Sequence, residues 1–557
     1  MKNKSLLQKM VSSKSVVLAD WMAMKPYNQA IPNYDTFYVQ QCQKVLTLLS
    51  GYNKWFQHNG VTNEQLKELS CQLVSYLEDY ANEIGIWTAF VETNEALYGY
   101  PVPFYNLLGY DKADINHQDI AFLIWHYVTK YSEHEYLTDP EDAKISLMAQ
   151  AIFSHFEEVI EDCPAIDFYD NFFTIKDSED FFAFKLKMAW FATKSYLLGV
   201  DFKDSMDEQK AKLAQEVKRG KVDAANLYPL SYALLEKFLF QKRSSYSALN
   251  APEWFAKIAK CSEQKRQDII DLTYWIDGKF YLKEKQKEHF VFEHLLTHVQ
   301  YKSLINSFQN NNQMPVSDTK AYNMHMVRWN DTYWLSGMMF TTDMTPMSIK
   351  KYKAEPFNTP WMLPDARLEN MKETTRLMYD AFIGFFGSPM AMFDTEKKLE
   401  KANLEYMDYY AKTLKAEVTD SFEERNKKFK EEYGKKDAKT MSDFHGNTKE
   451  SVGLFFVEGV GMHTAGVVKE CVKLLKAPTL NKDEEASLFI DFANGYIPPI
   501  CDFFLKEYGG KNLKMPVSET LNVVKYLLFF QRMNSPEEFD RPYPALMMID
   551  DDRDAKV

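Results

Sequence analysis

The stretch Leu272–Phe340 most constrains what this chain can fold into, because it interrupts a sequence that otherwise reads as helix. It opens with Tyr274-Trp275-Ile276, an Asp277-Gly278 turn and Lys279-Phe280-Tyr281. Runs at His289–Leu295 and Val299–Leu304 follow, and a last pair, Tyr322–Trp329 and Thr332–Phe340, meets at Asn330-Asp331. Asp-Gly and Asn-Asp between short aromatic and β-branched runs signal hairpins, since such turns need residues that tolerate positive φ. Short strands packed this closely predict a small antiparallel β-barrel inserted into a mainly α-helical protein. Barrels of this kind bind or dock more often than they catalyse. No reaction is legible in the chain.

The flanking regions carry helical periodicity. Thr62-Asn63-Glu64-Gln65 forms a capping box, and Leu66, Leu69, Leu73, Leu77 and Tyr80 then recur every three or four residues, with Gly85 as a stop. Asn116 caps a second helix, with Asp119 reaching back from its first turn. Asp142–Ile160 and Phe181–Leu198 read as two more, the latter apolar enough to be nearly central. The prolines of Tyr98–Tyr105 make that segment a rigid aromatic connector, whereas Pro252 sits early enough in a helix starting at Ala251 to be harmless. Four prolines in Thr341–Asp365 mark a boundary, after which helices run from Ala366 to about Tyr433 with one break. In the last of them Glu423/Lys427, Glu424/Lys428, Glu431/Lys435 and Glu432/Lys436 stand at i,i+4 on a solvated face. A polar linker, Lys435–Lys449, precedes a hairpin built on Val452–Val457 and Val460–His463, then helices including Ser518–Arg532 and a charged tail. The expected parts are a helical domain over 1–268, the strands over 269–345, linker and charged helices over 346–447, and a hairpin-plus-helices unit over 448–557. The fold class is mainly α with this inserted barrel, α+β in total.

Charge and cysteine usage narrow the setting. A net charge of −13 disfavours nucleic acid, whose phosphates reward clustered basic surface. The six cysteines (Cys42, Cys71, Cys163, Cys261, Cys471, Cys501) form no CxxC, which fits a reducing compartment. The N-terminus lacks the apolar core of a signal peptide, and no run approaches the roughly 18 apolar residues that span a bilayer. The expected location is the cytoplasm.

Candidate chemistry fails on spacing. His294 and His298 stand as in His-Glu-x-x-His, but position 295 is Leu, and His289 to Glu293 misses the inverted form by one residue. His155 and Glu158 reverse the order that carboxylate-bridged iron sites use. Gly459-Val460-Gly461 would need a glycine at 464, where Thr464 reads instead as a helix N-cap. Ser336 lacks the preceding glycine of a nucleophile elbow. No metal or cofactor is implied. The barrel aromatics remain, with 40 Phe, 33 Tyr and 10 Trp in the whole chain supplying ample core material beside them.

Several ordered segments carry a likeness: Ala19-Asp20-Trp21 through Lys25-Pro26-Tyr27, Trp87, Leu97-Tyr98-Gly99, Pro103-Phe104-Tyr105, Ile115-Asn116 with Asp119, and Phe122–Trp125. Ala251–Trp254, Phe292-Glu293-His294, Arg328-Trp329, Trp334–Gly337 and Val452–Phe456 extend it. On these the chain resembles a domain-of-unknown-function family of intracellular proteins from Bacteroidota-type gut bacteria. The shared residues are mostly Trp, Tyr, Phe, Gly and Pro, which set a fold, so the resemblance implies no catalytic role. The leading expectation is an interaction or regulatory protein that docks a protein partner through Trp275, Tyr281, Arg328, Trp329 and Trp334. Nucleic-acid binding through a local basic patch is the alternative, and a hydrolase assembled from distant residues a third.

Overall fold

The computed structural model describes residues 15–413 except 99, 132–137, 221–226, 245–246, 248, 309–313 and 354–364, then 451–458, 461–477 and scattered positions between 484 and 508. The i,i+4 pairs after Asp420, the linker Lys435–Lys449, the helix Ser518–Arg532 and the charged tail lie outside the described residues.

The chain forms two compact units, one of residues 1–295 with Gln300–Asp343, the other of Leu296–Val299 with residues 344–557. The first begins with α1 (Leu18–Met22), α2 (Tyr34–Ser50), α3 (Asn53–His58), α4 (Asn63–Ala81), α5 (Ile86–Tyr98), α6 (His117–Tyr131) and α7 (Ala143–Val159). It continues with α8 (Asp167–Phe173), α9 (Phe181–Lys194), α10 (Leu198–Lys218), α11 (Leu227–Gln241), α12 (Ala251–Ile258) and α13 (Glu263–Asp271). The helix starts follow local chemistry. At α4 the Gln65 N–H donates to Thr62 Oγ1 (3.3 Å) and the Thr62 N–H to Gln65 Oε1 (2.7 Å), the reciprocal pair that the spacing predicts. Asn250 and Glu253 form the same reciprocal box at α12, with Pro252 inside the first turn, and Asp142 caps α7 by accepting the Lys144 N–H at 2.8 Å.

Five strands complete this unit: β1 (Ile276–Lys285), β2 (His289–His294), β3 (Gln300–Leu304), β4 (Lys320–Trp329) and β5 (Thr332–Asp343). They run in the order β1-β2-β3-β5-β4, and β1 returns to pair with β4. The expected Asn330-Asp331 hairpin is present, with φ of 49° and 57° at its two turn residues, the combination a two-residue type I′ connection requires. Two expectations need correction. Asp277-Gly278 is not a turn: β1 runs straight through it, Asp277 opposite His325 and Gly278 opposite Met324. Nor is the sheet wholly antiparallel, since β3 meets β5 in parallel, at Ser303 and Tyr333. The element is a mixed five-stranded sheet in a mainly helical protein. Phe280, Phe292, Tyr301 and Tyr322 fill its concave side, with ring centroids 6.0–6.5 Å apart.

The outer side packs on helices, and Trp329 is the joint. Its ring stacks on Phe184 of α9 at 4.6 Å, its Nε1 donates to the Glu179 carbonyl at 2.8 Å, and Lys265 Nζ of α13 lies 4.3 Å above it. Helix α9 therefore does not run through the centre, as its composition suggests. It buries Phe181, Phe184, Met188, Phe191 and Ala192, while Phe182, Ala183 and Leu186 face outward.

The second unit holds α14 (Pro346–Lys353), α15 (Asp365–Phe386), β6 (Met390–Phe393), α16 (Glu396–Thr413), β7 (Val452–Val457), β8 (Gly461–Gly466) and α17 (Val468–Leu475). The hairpin expected near its end gains β6, from the break between two helices, to make an antiparallel sheet β6-β7-β8. Alternate residues of β7 point to opposite sides. Val452, Leu454 and Phe456 join Phe382 and Tyr406, whereas Phe455 joins Val468 and Cys471. Both faces are covered, which is why this strand reads as an unbroken apolar run. Thr464 is not a helix cap; it sits within β8 opposite Leu454, and α17 begins at Val468, where Ser451 Oγ accepts the Lys469 N–H at 2.8 Å. No helix among the described residues is long and apolar enough to cross a membrane.

If Trp329 joins the two layers, Trp329→Ala should cost about 3–5 kcal/mol of stability, the usual penalty for emptying a large buried aromatic site. Urea unfolding followed by far-ultraviolet circular dichroism measures it. A loss below about 1 kcal/mol, the range of ordinary surface substitutions and mild swaps, would place the joint elsewhere.

Candidate functional site

The residues expected to form a docking face are not brought together on one. Trp275, Tyr281 and Trp329 are buried. Trp275 packs against His325 with ring centroids 4.0 Å apart, and Tyr281 stands between Glu293 and Ala321 in the sheet. These rings are taken up in the packing of the curved sheet, Trp329 under helices α9 and α13 and Trp275 against His325. Arg328 is exposed, but its guanidinium pairs with Asp331 in the hairpin turn and lies 3.6 Å from Asp271. Trp334 alone combines a half-buried ring with an apolar surface. It packs edge-on against Phe182 at 5.5 Å and on Phe181 at 5.6 Å, and its indole Nε1 finds no hydrogen-bond partner among the described residues.

Phe182 leads to the surface that sequence reasoning missed. In α9 every residue but Lys185, Lys187, Thr193 and Lys194 is apolar. The helix starts where Asp180 Oδ1 accepts the Phe182 and Ala183 N–H groups at 2.9 and 3.2 Å. At about 100° per residue the buried positions occupy one arc, and Phe182, Leu186, Ala189 and Thr193 share the opposite one. Phe182 is 41% exposed and Leu186 is 74% exposed. The two flanking lysines bend inward, Lys185 to Glu236 at 2.6 Å and Lys187 to Glu179 at 3.0 Å, so they do not shield the strip. A helix that is apolar all round is normally covered all round. The composition of Phe181–Lys194 was the available signal. Part of the remaining arc is covered as well, since Trp190 packs edge-on against Phe172 at 5.2 Å and donates to the Met24 carbonyl at 2.8 Å, which confines the exposed strip to Phe182 and Leu186.

Ser336, considered above as a nucleophile, is fully buried at the inner end of the same region. Its hydroxyl donates to Glu236 and accepts from Lys185 Nζ at 3.1 Å. An ammonium that donates to both partners has no lone pair with which to take the serine proton, so this trio cannot work as a Ser-Lys dyad. Gly337 permits the close approach: a Cβ there would lie 2.9 Å from Glu236 Cγ.

A second polar cluster surrounds the end of α4. The buried ammonium of Lys25 pairs with Glu78, and Tyr34 and Tyr169 donate to the other carboxylate oxygen at 2.8 and 3.0 Å. Beside it Asp79 accepts the N–H groups of Gly85, Ile86 and Trp87 and the Tyr196 hydroxyl, all within 3.1 Å. Lys25 also lies over the Trp21 ring, whose Nε1 donates to Asp35, as does the Tyr27 hydroxyl. The Trp21–Tyr27 segment thus acts as an internal clasp. Burial raises the phenols of Tyr27 and Tyr34, which keeps them donors. The recess lined by Lys25, Ser75, Glu78, Tyr169, Trp190 and Lys194 spans about 270 Å³ including open solvent, yet its groups satisfy one another and leave little for a substrate. Among the described residues no three His, Cys, Asp or Glu side chains converge as a metal site would need.

Asp119 gives this region a pH signature. Burial pushes its carboxyl up to about 7, against the opposing hydrogen bonds from Tyr76, Asn116 and Tyr110. The unfolded chain releases the same proton near 3.9, as in model peptides, so between these values the folded protein holds a proton that the unfolded one has lost. The stabilisation linked to that proton is complete below about pH 4 and fades as pH rises through 7. Asp119→Asn, neutral throughout, should flatten this fall: the urea midpoint difference between pH 5 and pH 8 shrinks relative to wild type. Parallel midpoints in the two proteins would show that Asp119 does not titrate in this range.

No curated protein and no solved structure matches the chain. The model of a family described as "Protein of unknown function (DUF3843)" matches residues 16–313, which contain the polar clasp around Glu78, helix α9 and the first three strands. That match covers more than half of the chain, and the protein therefore belongs to the DUF3843 family of proteins of unknown function.

Proposed function

We propose that this is a protein-interaction protein that docks its partner on the outward face of α9, extended by Trp334. One observation carries the reading: on the outward side of α9 Leu186 is 74% exposed and Phe182, one turn before it, 41% exposed, with the Trp334 ring beside the latter. Leu186 forgoes most of the roughly 1.5–3 kcal/mol that full burial of such a side chain returns, and the partly covered Phe182 a smaller share. A partner that covers both recovers that energy, and the Trp334 ring beside Phe182 enlarges the target. The curved sheet, read as a small closed barrel, serves as a rigid back that holds Trp334 in place. This reading keeps the docking role expected of the strand region and moves its surface from the buried rings to the helix.

The setting follows the same reading. Cys42, Cys71, Cys163, Cys261 and Cys471 are free thiols, which supports a reducing, intracellular compartment.

The test is capture by the tagged full chain, with Leu186→Asp as the variant and circular dichroism to confirm folding. A charge in the middle of an apolar contact should weaken a bound protein's retention on the order of tenfold or more. Equal retention by the folded variant would remove α9 as the docking face.

A further inference from the structure

We infer that Cys42 and Cys71 form a redox-responsive thiol pair, which closes to a disulfide under oxidising conditions and so staples α2 to α4 beside the Lys25–Glu78 clasp. The inference concerns the helical core and does not depend on the docking face of α9.

The register of the two helices brings the sulfurs together. The start of α2 meets the end of α4: the Tyr34 hydroxyl donates to Glu78 at 2.8 Å, and the Asn82 amide donates to the Tyr38 hydroxyl at 3.5 Å. The helices therefore run in opposite directions. Cys42 lies eight residues on from Tyr34, and Cys71 lies seven residues back from Glu78. At ~1.5 Å of rise per residue these are about 12 and 10.5 Å travelled the same way, so the two cysteines reach the same level. Each belongs to the buried side of its helix, with 0% and 1% of its surface exposed. Both are free thiols, and the Cys42 thiol is hydrogen-bonded to that of Cys71.

A single buried cysteine is an ordinary small apolar filler. Two of them in sulfur-to-sulfur contact across a helix pair have a chemistry that fillers lack. From hydrogen-bond contact, a side-chain rotation and a slight approach of the helices bring two sulfurs to the bonding distance of about 2 Å. With hydrogen peroxide as oxidant, one thiolate attacks the O–O bond and becomes a sulfenic acid, releasing hydroxide. The neighbouring thiol then displaces the sulfenic oxygen as water. In sum, two thiols and one peroxide give one disulfide and two waters, and the two electrons lost by sulfur reduce the O–O bond.

Burial, followed by the bond with Cys71, raises the Cys42 thiol well above its usual range, against the opposing pull of the Lys25 ammonium. The thiolate is therefore scarce and closure is slow. The pair stays reduced in a reducing compartment and closes only under sustained exposure to a small, neutral oxidant. Once closed, the bond spans a loop of about thirty residues that includes α3, which restricts the unfolded chain. It also fixes α4 two turns ahead of Glu78, the centre of the clasp.

The experiment uses the full-length protein. Accessible thiols are first alkylated with iodoacetamide under native conditions, and hydrogen peroxide is then applied at a dose that converts the exposed Met347 to its sulfoxide. The protein is unfolded in N-ethylmaleimide, digested without reduction and mapped by mass spectrometry. The peptides carrying Cys42 and Cys71 should appear as one linked species, lighter by two hydrogens than the two together. The linked protein should unfold at a higher urea concentration than the reduced one. In Cys71→Ser the sulfenic acid of Cys42 has no sulfur to resolve it, and dimedone should trap it there; the wild-type map stands whether or not this variant folds. Recovery of both cysteines as maleimide adducts would show two inert fillers and overturn the inference. So would either of them bonded to another cysteine, or a linked protein whose urea midpoint does not rise, since the helices would then have to part for the bond to form.

Discussion

The stack of Trp329 on Phe184 is the contact on which the rest of the first unit depends. It takes the last residue of β4 and the inner face of α9 and buries both, while the indole N–H is satisfied by the Glu179 carbonyl just ahead of the helix. Once that contact forms, the rotation of α9 about its axis is settled. Phe181, Phe184, Met188 and Phe191 turn inward, so Phe182 and Leu186 have no choice but to turn outward. An exposed apolar strip is thus the other side of a core contact. The helix cannot hide both faces against one neighbour.

The polar interior works by mutual satisfaction. Glu78 and Asp79 are adjacent on α4, and each is surrounded by donors supplied from helices and loops far apart in sequence: Lys25, Tyr34 and Tyr169 for one, Tyr196 and three backbone N–H groups for the other. Such a network is costly to leave half made, since an unpaired buried carboxylate loses its hydration without return. It therefore specifies how the first helices must meet. The Trp21–Tyr27 segment, Trp87 and Asp119 belong to the same system, which gives a physical reason for the role of those residues without any catalytic step. Ser336, Lys185 and Glu236 form a smaller version between α9, α11 and β5.

Much of the local structure was legible in the sequence because it is set by local rules. The capping box at Thr62, the helix starts at Asp142 and Ala251, the positive-φ turn at Asn330-Asp331 and the unbroken apolar run of β7 each depend on a few neighbouring residues. The misreadings share one cause. Asp277-Gly278 carries a turn signature, yet its strand partner in β4 keeps it extended. Thr464 carries a cap signature, yet pairing with Leu454 holds it in a strand. In both places long-range hydrogen bonds outweigh a local preference worth about a kilocalorie.

The sequence by itself determined that this chain is mainly helical with an aromatic-rich strand insertion, where helices such as those at Asn63 and Ala251 start, and that the metal and nucleotide patterns it superficially resembles fail on spacing. These follow from periodicity, capping and residue order, all of which are short-range. Which aromatics are core and which are surface was decided only by tertiary structure. Trp275, Trp329 and Trp334 have the same chemistry and similar neighbours, and alternation along a strand says which face each ring shares but not what covers that face. Helices α9 and α13 cover Trp329 and leave the ring of Trp334 at the rim. Burial is a property of two surfaces meeting, and one strand's sequence describes only one of them.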